Sequence, residues 1–469
     1  MVIEKKLTSG NLWKQILFFG IPLMASNLLQ VLFNMSDIAV VGRFSESGSK
    51  AIGAVGSTTI LVNLYTGILI GIGSGVNVIV AKFFGAGDKK NLKEAVHTSA
   101  IISLFIGILL AVAGFFTADA FLRLLGTKAD LIGGANTYLK IYMLGMPAVA
   151  LYNFGNGTFS AIGNTKKPLL YLFIAGVLNV GLNLFFVIVF KMDVAGVALA
   201  SIISQYVSAI LVIAALFREK GDCKLSFVAL KIHGDKAKTM LALGLPASFQ
   251  NSIFNIANLF IQSAVNTFPS VVVEGNSAAT NSDALVYQLM DAFYIACSSF
   301  IGQNFGAGNK KRILHSYLIC TIYSFAVGAV LGGGLVLFGK GFLSIFTDDP
   351  AVMREGMARL KIMGFSYCIS AFMDTTISAS RGLGKTVVST IIVIMGSCVF
   401  RVVWILTVFA KFRTITSIYL LYSCSWTITA IAEIIYFIYA YKKVTGNFTA
   451  EAPAADEEIK EENKESAAV

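Results

Sequence analysis

The chain has 469 residues, of which 56% are hydrophobic and only 13% charged, and its mean hydropathy is +0.74. A water-soluble chain carries roughly a quarter charged residues, so a soluble enzyme or binding domain is excluded and an integral membrane protein is expected. The formal net charge of +11 does not point to nucleic acid. The basic residues stand between apolar stretches, where the retention of Lys and Arg on the cytoplasmic side of a bilayer accounts for them.

The apolar stretches run for about twenty residues or more, which fits membrane-spanning helices and not the ten-residue strands of a barrel. Twelve spans are predicted, approximately over 15–41, 52–81, 95–118, 134–161, 168–190, 194–217, 239–267, 279–303, 313–338, 356–380, 387–409 and 415–441. Twelve spans put both termini on one side. The termini and even-numbered loops hold 24 of the 37 Lys and Arg, the odd-numbered loops far fewer, and Lys140 and Arg401 lie within spans. Both termini are therefore expected in the cytoplasm, with the chain in the inner or plasma membrane of the cell. Lys5, Lys6 and Lys14 precede an apolar stretch too long for a signal peptide.

The first span, around Gly20–Gly42, carries Pro22 near its start and a single carboxylate, Asp37, near its end. Fifteen residues of helix are about 22 Å of rise and about four turns, and leave the two on nearly one face. A proline frees a backbone carbonyl and kinks a helix, and a carboxylate within hydrocarbon usually marks an ion or substrate path. The segment reads as a bendable helix with an ionisable group on its working face; a structural Asp near a helix end is the alternative.

The fifth span carries Asn179 and Asn183, four residues apart and so on one face. The sixth span returns with Ser201 at the depth of Asn183. Asp37, Asn179, Asn183 and Ser201 are thus expected at similar depth, as a site for a proton or a monovalent cation such as Na⁺. Hydrogen bonds that merely join neighbouring helices remain the alternative. The basic connection Arg218–Lys238 follows, part of it expected as a short amphipathic helix on the membrane surface.

The second half repeats the first. FFGAGDKK at Phe83–Lys90 returns as NFGAGNKK at Asn304–Lys311, FGIP at Phe19–Pro22 as LGLP at Leu243–Pro246, and SAIGNT at Ser160–Thr165 as RGLGKT at Arg381–Thr386, all offset by 221 to 224 residues. The expected organisation is an all-α membrane protein of two six-helix bundles related by a pseudo-two-fold along the membrane normal. Its parts are an N-terminal lobe over 1–217, a cytoplasmic linker over 218–238, a C-terminal lobe over 239–445 and a disordered acidic tail over 446–469.

The position answering Asp37 is about Ile261, and the seventh span offers Gln250, Asn251, Asn255 and Asn258 instead. Asp283 and Asp291 lie in the eighth span, Asp374 in the tenth and Arg401 in the eleventh. Asp291 and Asp374 either meet a cationic substrate from a cavity wall or neutralise Arg401; a structural pair is the preferred reading for Arg401. Met35, Tyr138, Met143, Asn255, Tyr287 and Met290 complete a candidate substrate cavity, the aromatic and Met side chains offering adaptable surfaces to apolar cations, although such residues commonly only pack helices.

The six cysteines lack metal-like spacing, and His97, His233 and His315 fall in or beside basic loops, so no metal site is expected beyond Na⁺ at Asp37. GAGD and GAGN lack the Lys-Ser/Thr pair of a phosphate loop and are read as tight helix ends opening cytoplasmic turns. No catalytic Ser-His or metal motif occurs, so neither an enzyme nor a cofactor is expected.

Over residues 12 to about 445 the chain resembles the multidrug and toxic compound extrusion (MATE) family. The resemblance rests on Pro22 with Asp37-Ile-Ala-Val-Val-Gly42, the FGAGD and FGAGN turns, GNTKKP at Gly163–Pro168, RGLGKT at Arg381–Thr386, and Asn179 with Asn183. It is closest to the bacterial DinF-like branch with MepA-like pumps, since the NorM branch places a Glu in the seventh span. The resemblance implies alternating access and export of small organic cations in exchange for H⁺ or Na⁺, with Pro22 as the bending proline, Asp37 as the coupling carboxylate and Asn179 as a cation-site residue. Asn183 stands where many relatives carry Asp, and Ser201 where some carry Thr. The lost carboxylate favours H⁺ over Na⁺. A monomer in the lipid bilayer is expected. The competing reading within this superfold is a flippase for lipids or lipid-linked oligosaccharides, which would line its cavity with several Arg and Lys.

Overall fold

The computed structural model describes residues 7–45, 48–446 and 448. The acidic tail Ala450–Val469 lies outside the described residues. Among these residues there is no β-strand. That is the outcome lipid imposes: with no water to satisfy backbone amides, a chain must close its hydrogen bonds within each helix.

The helices follow the twelve spans in order. They are α1 (Leu12–Phe44), α2 (Ser49–Gly85), α3 (Lys89–Leu124), α4 (Ile132–Met143) with α5 (Met146–Ala161), α6 (Lys166–Leu184), α7 (Asp193–Phe217), α8 (Gly234–Val265), α9 (Ser270–Gly306), α10 (Lys310–Leu343), α11 (Pro350–Gly382), α12 (Thr386–Val393) with α13 (Phe400–Trp404), and α14 (Ile415–Thr445). Among the described residues, nine of the spans are long and apolar enough to cross a membrane by length and composition alone. The others explain themselves. The fourth span is broken at Leu144–Gly145, where Pro147 starts a new helix at a position that needs no amide proton. The eighth and eleventh helices are 32 and 33 residues long but carry more polar residues.

Two local devices recur in both halves, the first of them the tight helix ends expected of the GAGD and GAGN turns. The repeated GAGD and GAGN turns end α2 and α9 on glycines with φ of +67° (Gly87) and +71° (Gly308), a conformation that favours glycine. Each following acid or amide then caps the next helix. Asp88 accepts from the Asn91 amide at 3.1 Å, and Asn309 from the Arg312 amide at 3.1 Å, which satisfies free N–H groups of the first turn. Burial of neither residue is needed for this. Asp88 lies at a helix N-terminus outside the spans, and its bonds from Asn91 hold its carboxyl below the usual range. The second device is a wide π turn at Phe185–Val189, at the end of the fifth span, matched nearly one repeat later by Ile405–Phe409 in the eleventh.

The chain forms two compact units. Of the described residues, the first gathers Ala25–Val80 and Asp88–Ser252; the second gathers Leu7–Met24, Ala81–Gly87 and those from Ile253 on. The division therefore falls within α1, two residues after Pro22, within α2 after Val80, and within α8. In the first unit the core forms around Val41, Leu61, Leu139, Met143 and Val197. In the second, Phe19, Phe293, Phe300 and Phe437 pack in one cluster, and Val286, Met290, Tyr367 and Trp426 in another.

Between α7 and α8 the linker forms no separate amphipathic helix; it has one 3₁₀ turn, Phe227–Ala229, and its last five residues already open α8. It is tied instead to α3 and α6. His97 is buried, with Nε2 accepting from the Ser226 amide at 3.0 Å, Thr98 Oγ1 accepts from the His233 amide at 3.1 Å, and Lys167 pairs with Glu219. His97 is therefore an anchor inside α3 and not a loop residue.

Candidate functional site

Three helices of the first unit bring four polar side chains into a closed ring. α1 supplies Asp37, α6 supplies Asn179 and Asn183 one turn apart, and α7 supplies Ser201. Asn183 Nδ2 donates to Asp37 Oδ1 and to Asn179 Oδ1, the latter at 3.2 Å. Asn179 Nδ2 reaches Ser201 Oγ at 3.5 Å, and that hydroxyl donates to Asp37 Oδ2 at 3.1 Å. Asn179, Asn183 and Ser201 are buried, and Asp37 is half-buried. Asp37 thus receives hydrogen bonds from neutral donors alone. The ring has one open valence: Asn183 Oδ1 is buried and without a partner, a costly condition for an amide oxygen unless a proton donor or a cation reaches it. The donor set is what such a visitor needs, namely one carboxylate with amide and hydroxyl oxygens beside it.

Pro22 is buried within α1. Met35, two residues before Asp37, is 51% exposed. Tyr138 and Met143 are buried in the core of the first unit, Tyr138 stacked on Tyr142 at 5.9 Å. Their placement is that of packing residues.

In the second unit the charged residues separate into two sets. Asp283 forms a buried ion pair with Arg359 of α11 and accepts from the Tyr367 hydroxyl; Arg359 Nη1 also donates to Asn276 Oδ1 at 2.9 Å and stacks on Tyr419 and Tyr422. The carboxylate of Asp283 is therefore already neutralised. Asp374 is half-buried, within electrostatic reach of Asp291, Arg381 and, less strongly, Arg401. Glu433 of α14 has no exposed surface, and the Ser389 hydroxyl lies 3.0 Å from each of its carboxylate oxygens. Tyr287 packs edge-on to Tyr367 and Trp426, Met290 is fully buried beside them, and Asn255 is half-buried on α8.

The expected carboxylate partner of Arg401 is replaced by other groups. Its guanidinium donates to Ser425 Oγ and Asn258 Oδ1, both at 3.3 Å, and lies 4.8 Å over the Tyr422 ring. An arginine so arranged is desolvated onto amide, hydroxyl and π faces. Sequence reasoning missed Arg359, Arg381 and Glu433. Asp349 and Pro350 mark a helix start by capping and by the missing proline amide, which places Arg359 well inside α11. Glu433, alone in an apolar stretch, carries the signal that singled out Asp37.

Polar and charged groups sunk in long apolar helices are those of a multi-pass membrane protein, and the described residues hold no metal-ligating cluster. The MatE family model matches residues 22–185 and 246–407, one match in each half, and the chain belongs to that family, multidrug and toxic compound extrusion. It is 29% identical over 364 residues, 77% of its length and 80% of the relative's, to the probable multidrug resistance protein YpnP of Bacillus subtilis. It is 22% identical to an FAD transporter of Shewanella oneidensis, over 74% of this chain and 77% of that one. Among solved structures, the outward-facing conformation of a multidrug resistance MATE family transporter is similar with a TM-score of 0.87 at 20% identity, covering 95% of this chain and 100% of that one. The two-lobed, twelve-helix fold is that of this family.

Proposed function

We propose that this protein exports small organic cations in exchange for inward H⁺ or Na⁺ by alternating access, with Asp37 as the coupling carboxylate. Both termini lie in the cytoplasm, the chain acts as a monomer, and no further cofactor takes part. The observation that carries the reading is the ring of Asp37, Asn183, Asn179 and Ser201, with its open Asn183 oxygen.

The ion is H⁺ in this account. An amide presents either an oxygen or an NH₂ group on rotation. With Asp37 ionised, Asn183 donates to it; with Asp37 protonated, the same side chain turned over accepts from the new O–H. Asn183 therefore serves both protonation states, whereas a second carboxylate would serve a metal cation better. Uptake of the ion from outside neutralises Asp37, favours bending at Pro22 and removes the counter-charge from the drug, which leaves. Coupling follows because the ion binds the two states of α1 unequally. Paired Arg359 and Arg401 held on Asn258 and Ser425 leave the flippase reading without its pyrophosphate-binding cluster.

Reconstituted protein loaded with ethidium and given separate H⁺ and Na⁺ gradients tests this. Efflux driven by the H⁺ gradient and lost in Asp37→Asn is expected. Absence of ethidium movement under either gradient removes the exporter reading, and FAD serves as the anionic comparison substrate.

A further inference from the structure

A groove on the first unit runs between α1 and α6 and has a volume of about 470 Å³, within the range of ligand sites. Leu28, Leu29 and Leu32 line it from α1, and Leu169, Leu170 and Phe173 from α6. Its single charged group, Lys166, stands at the end where α6 begins. Each wall runs seven helix steps, from Ala25 to Leu32 or from Lys166 to Phe173, about 10 Å of helix rise, or a third of the ~30 Å hydrocarbon layer. The Phe33 ring packs so tightly on Gly176 that a Cβ there would lie 1.8 Å from it.

Lys166 is exposed and makes no hydrogen bond or ion pair among the described residues. Its neighbour Lys167 differs, being bound to Glu219 at 2.5 Å and lying 5.1 Å over the Phe159 ring. The sequence thus places two lysines in succession, one engaged by the fold and one left at the mouth of an apolar slot.

We propose that this groove is a docking site for an anionic glycerophospholipid, one acyl chain lying between α1 and α6 and the phosphate on Lys166. Walls without a polar group admit hydrocarbon and refuse a hydrated occupant. A cation at the mouth repels a drug cation and draws an anionic headgroup, as basic pockets between helices at the cytoplasmic side of a membrane do; that sidedness rests on the orientation proposed above. The groove follows Pro22 and precedes Asp37 along α1, so its occupant braces the segment whose bending the transport cycle uses.

Lipid binding is read without transport, so failure of this proposal and failure of the exporter reading are distinguishable. The full-length protein is embedded in nanodiscs of equal dioleoyl phosphatidylglycerol and dioleoyl phosphatidylcholine, released into mild detergent and weighed by native mass spectrometry. The expected result is retention of phosphatidylglycerol over phosphatidylcholine by about fivefold, the weight of one basic residue at a charged surface. Lys166→Gln brings the ratio close to unity, and Leu170→Trp, a substitution at an exposed position that fills the slot, lowers total retained lipid. Equal retention of the two lipids by wild type, an unchanged preference in both variants, or displacement of the retained lipid by ethidium overturns the proposal.

Discussion

Two carboxylates within long helices meet opposite surroundings. Asp283 is met by the guanidinium of Arg359 and the hydroxyl of Tyr367, and its role is closed within the protein. Removing one partner of a buried ion pair leaves an uncompensated charge and costs about 3–5 kcal/mol. Arg359→Met is therefore expected to lower the unfolding temperature strongly in a detergent thermal-shift assay, and Arg359→Met with Asp283→Asn to recover most of that loss; equal losses in single and double variants contradict the pairing argument. Asp37 has neutral donors only, so its charge is left to be balanced by something that comes and goes. Asn183→Asp adds a second carboxylate to the ring. It is expected to shift efflux from the H⁺ gradient towards the Na⁺ gradient, measured as the ratio of ethidium rates under the two. An unchanged ratio shows that residue 183 does not select the ion. The four members of this ring were readable from spacing, because side chains at i and i+4 share a face and the turn at Met192–Asp193 sets the depth of Ser201. The closing of the ring through Ser201 and the orphaned Asn183 oxygen was not, because amide and hydroxyl directions are tertiary properties.

At the level of elements, α1 combines a proline, an open groove and the carboxylate on one helix. A proline inside a helix costs about 3 kcal/mol against alanine, which keeps the straight and bent forms of such a segment close in energy. Pro22→Ala should hold α1 straight, slow ethidium efflux about tenfold or more and leave equilibrium ethidium binding nearly unchanged. Efflux at the wild-type rate means that the cycle does not bend at this residue. Helix starts and stops were readable where chemistry is local: the GAGD and GAGN turns show as glycine followed by a capping residue. The π turns at Phe185–Val189 and Ile405–Phe409 were not, since one extra residue per turn leaves no trace in an apolar composition. The break between α4 and α5 lay inside what composition presents as one span.

For the whole molecule, hydropathy and the 221–224-residue repeat were sufficient for the twelve-helix architecture, because a bilayer tolerates few alternatives. Composition was weakest where charge is buried and matched. Arg359 and Glu433 sit inside helices on partners from other helices, and a window average registers their cost but not the pairing that offsets it. The same blindness led to a carboxylate partner for Arg401 where the fold supplies Asn258, Ser425 and Tyr422. The central claim is that ion and drug oppose each other through Asp37, and linkage makes that measurable at equilibrium without a membrane gradient. Ethidium is added to concentrated, weakly buffered protein in detergent, and released protons are counted with a pH indicator. With protonation and drug binding exclusive, wild type is expected to release up to about one proton per chain below the pH at which Asp37 ionises, and Asp37→Asn to release none. Equal proton release from the two proteins would contradict the account, because the coupled proton would then reside elsewhere.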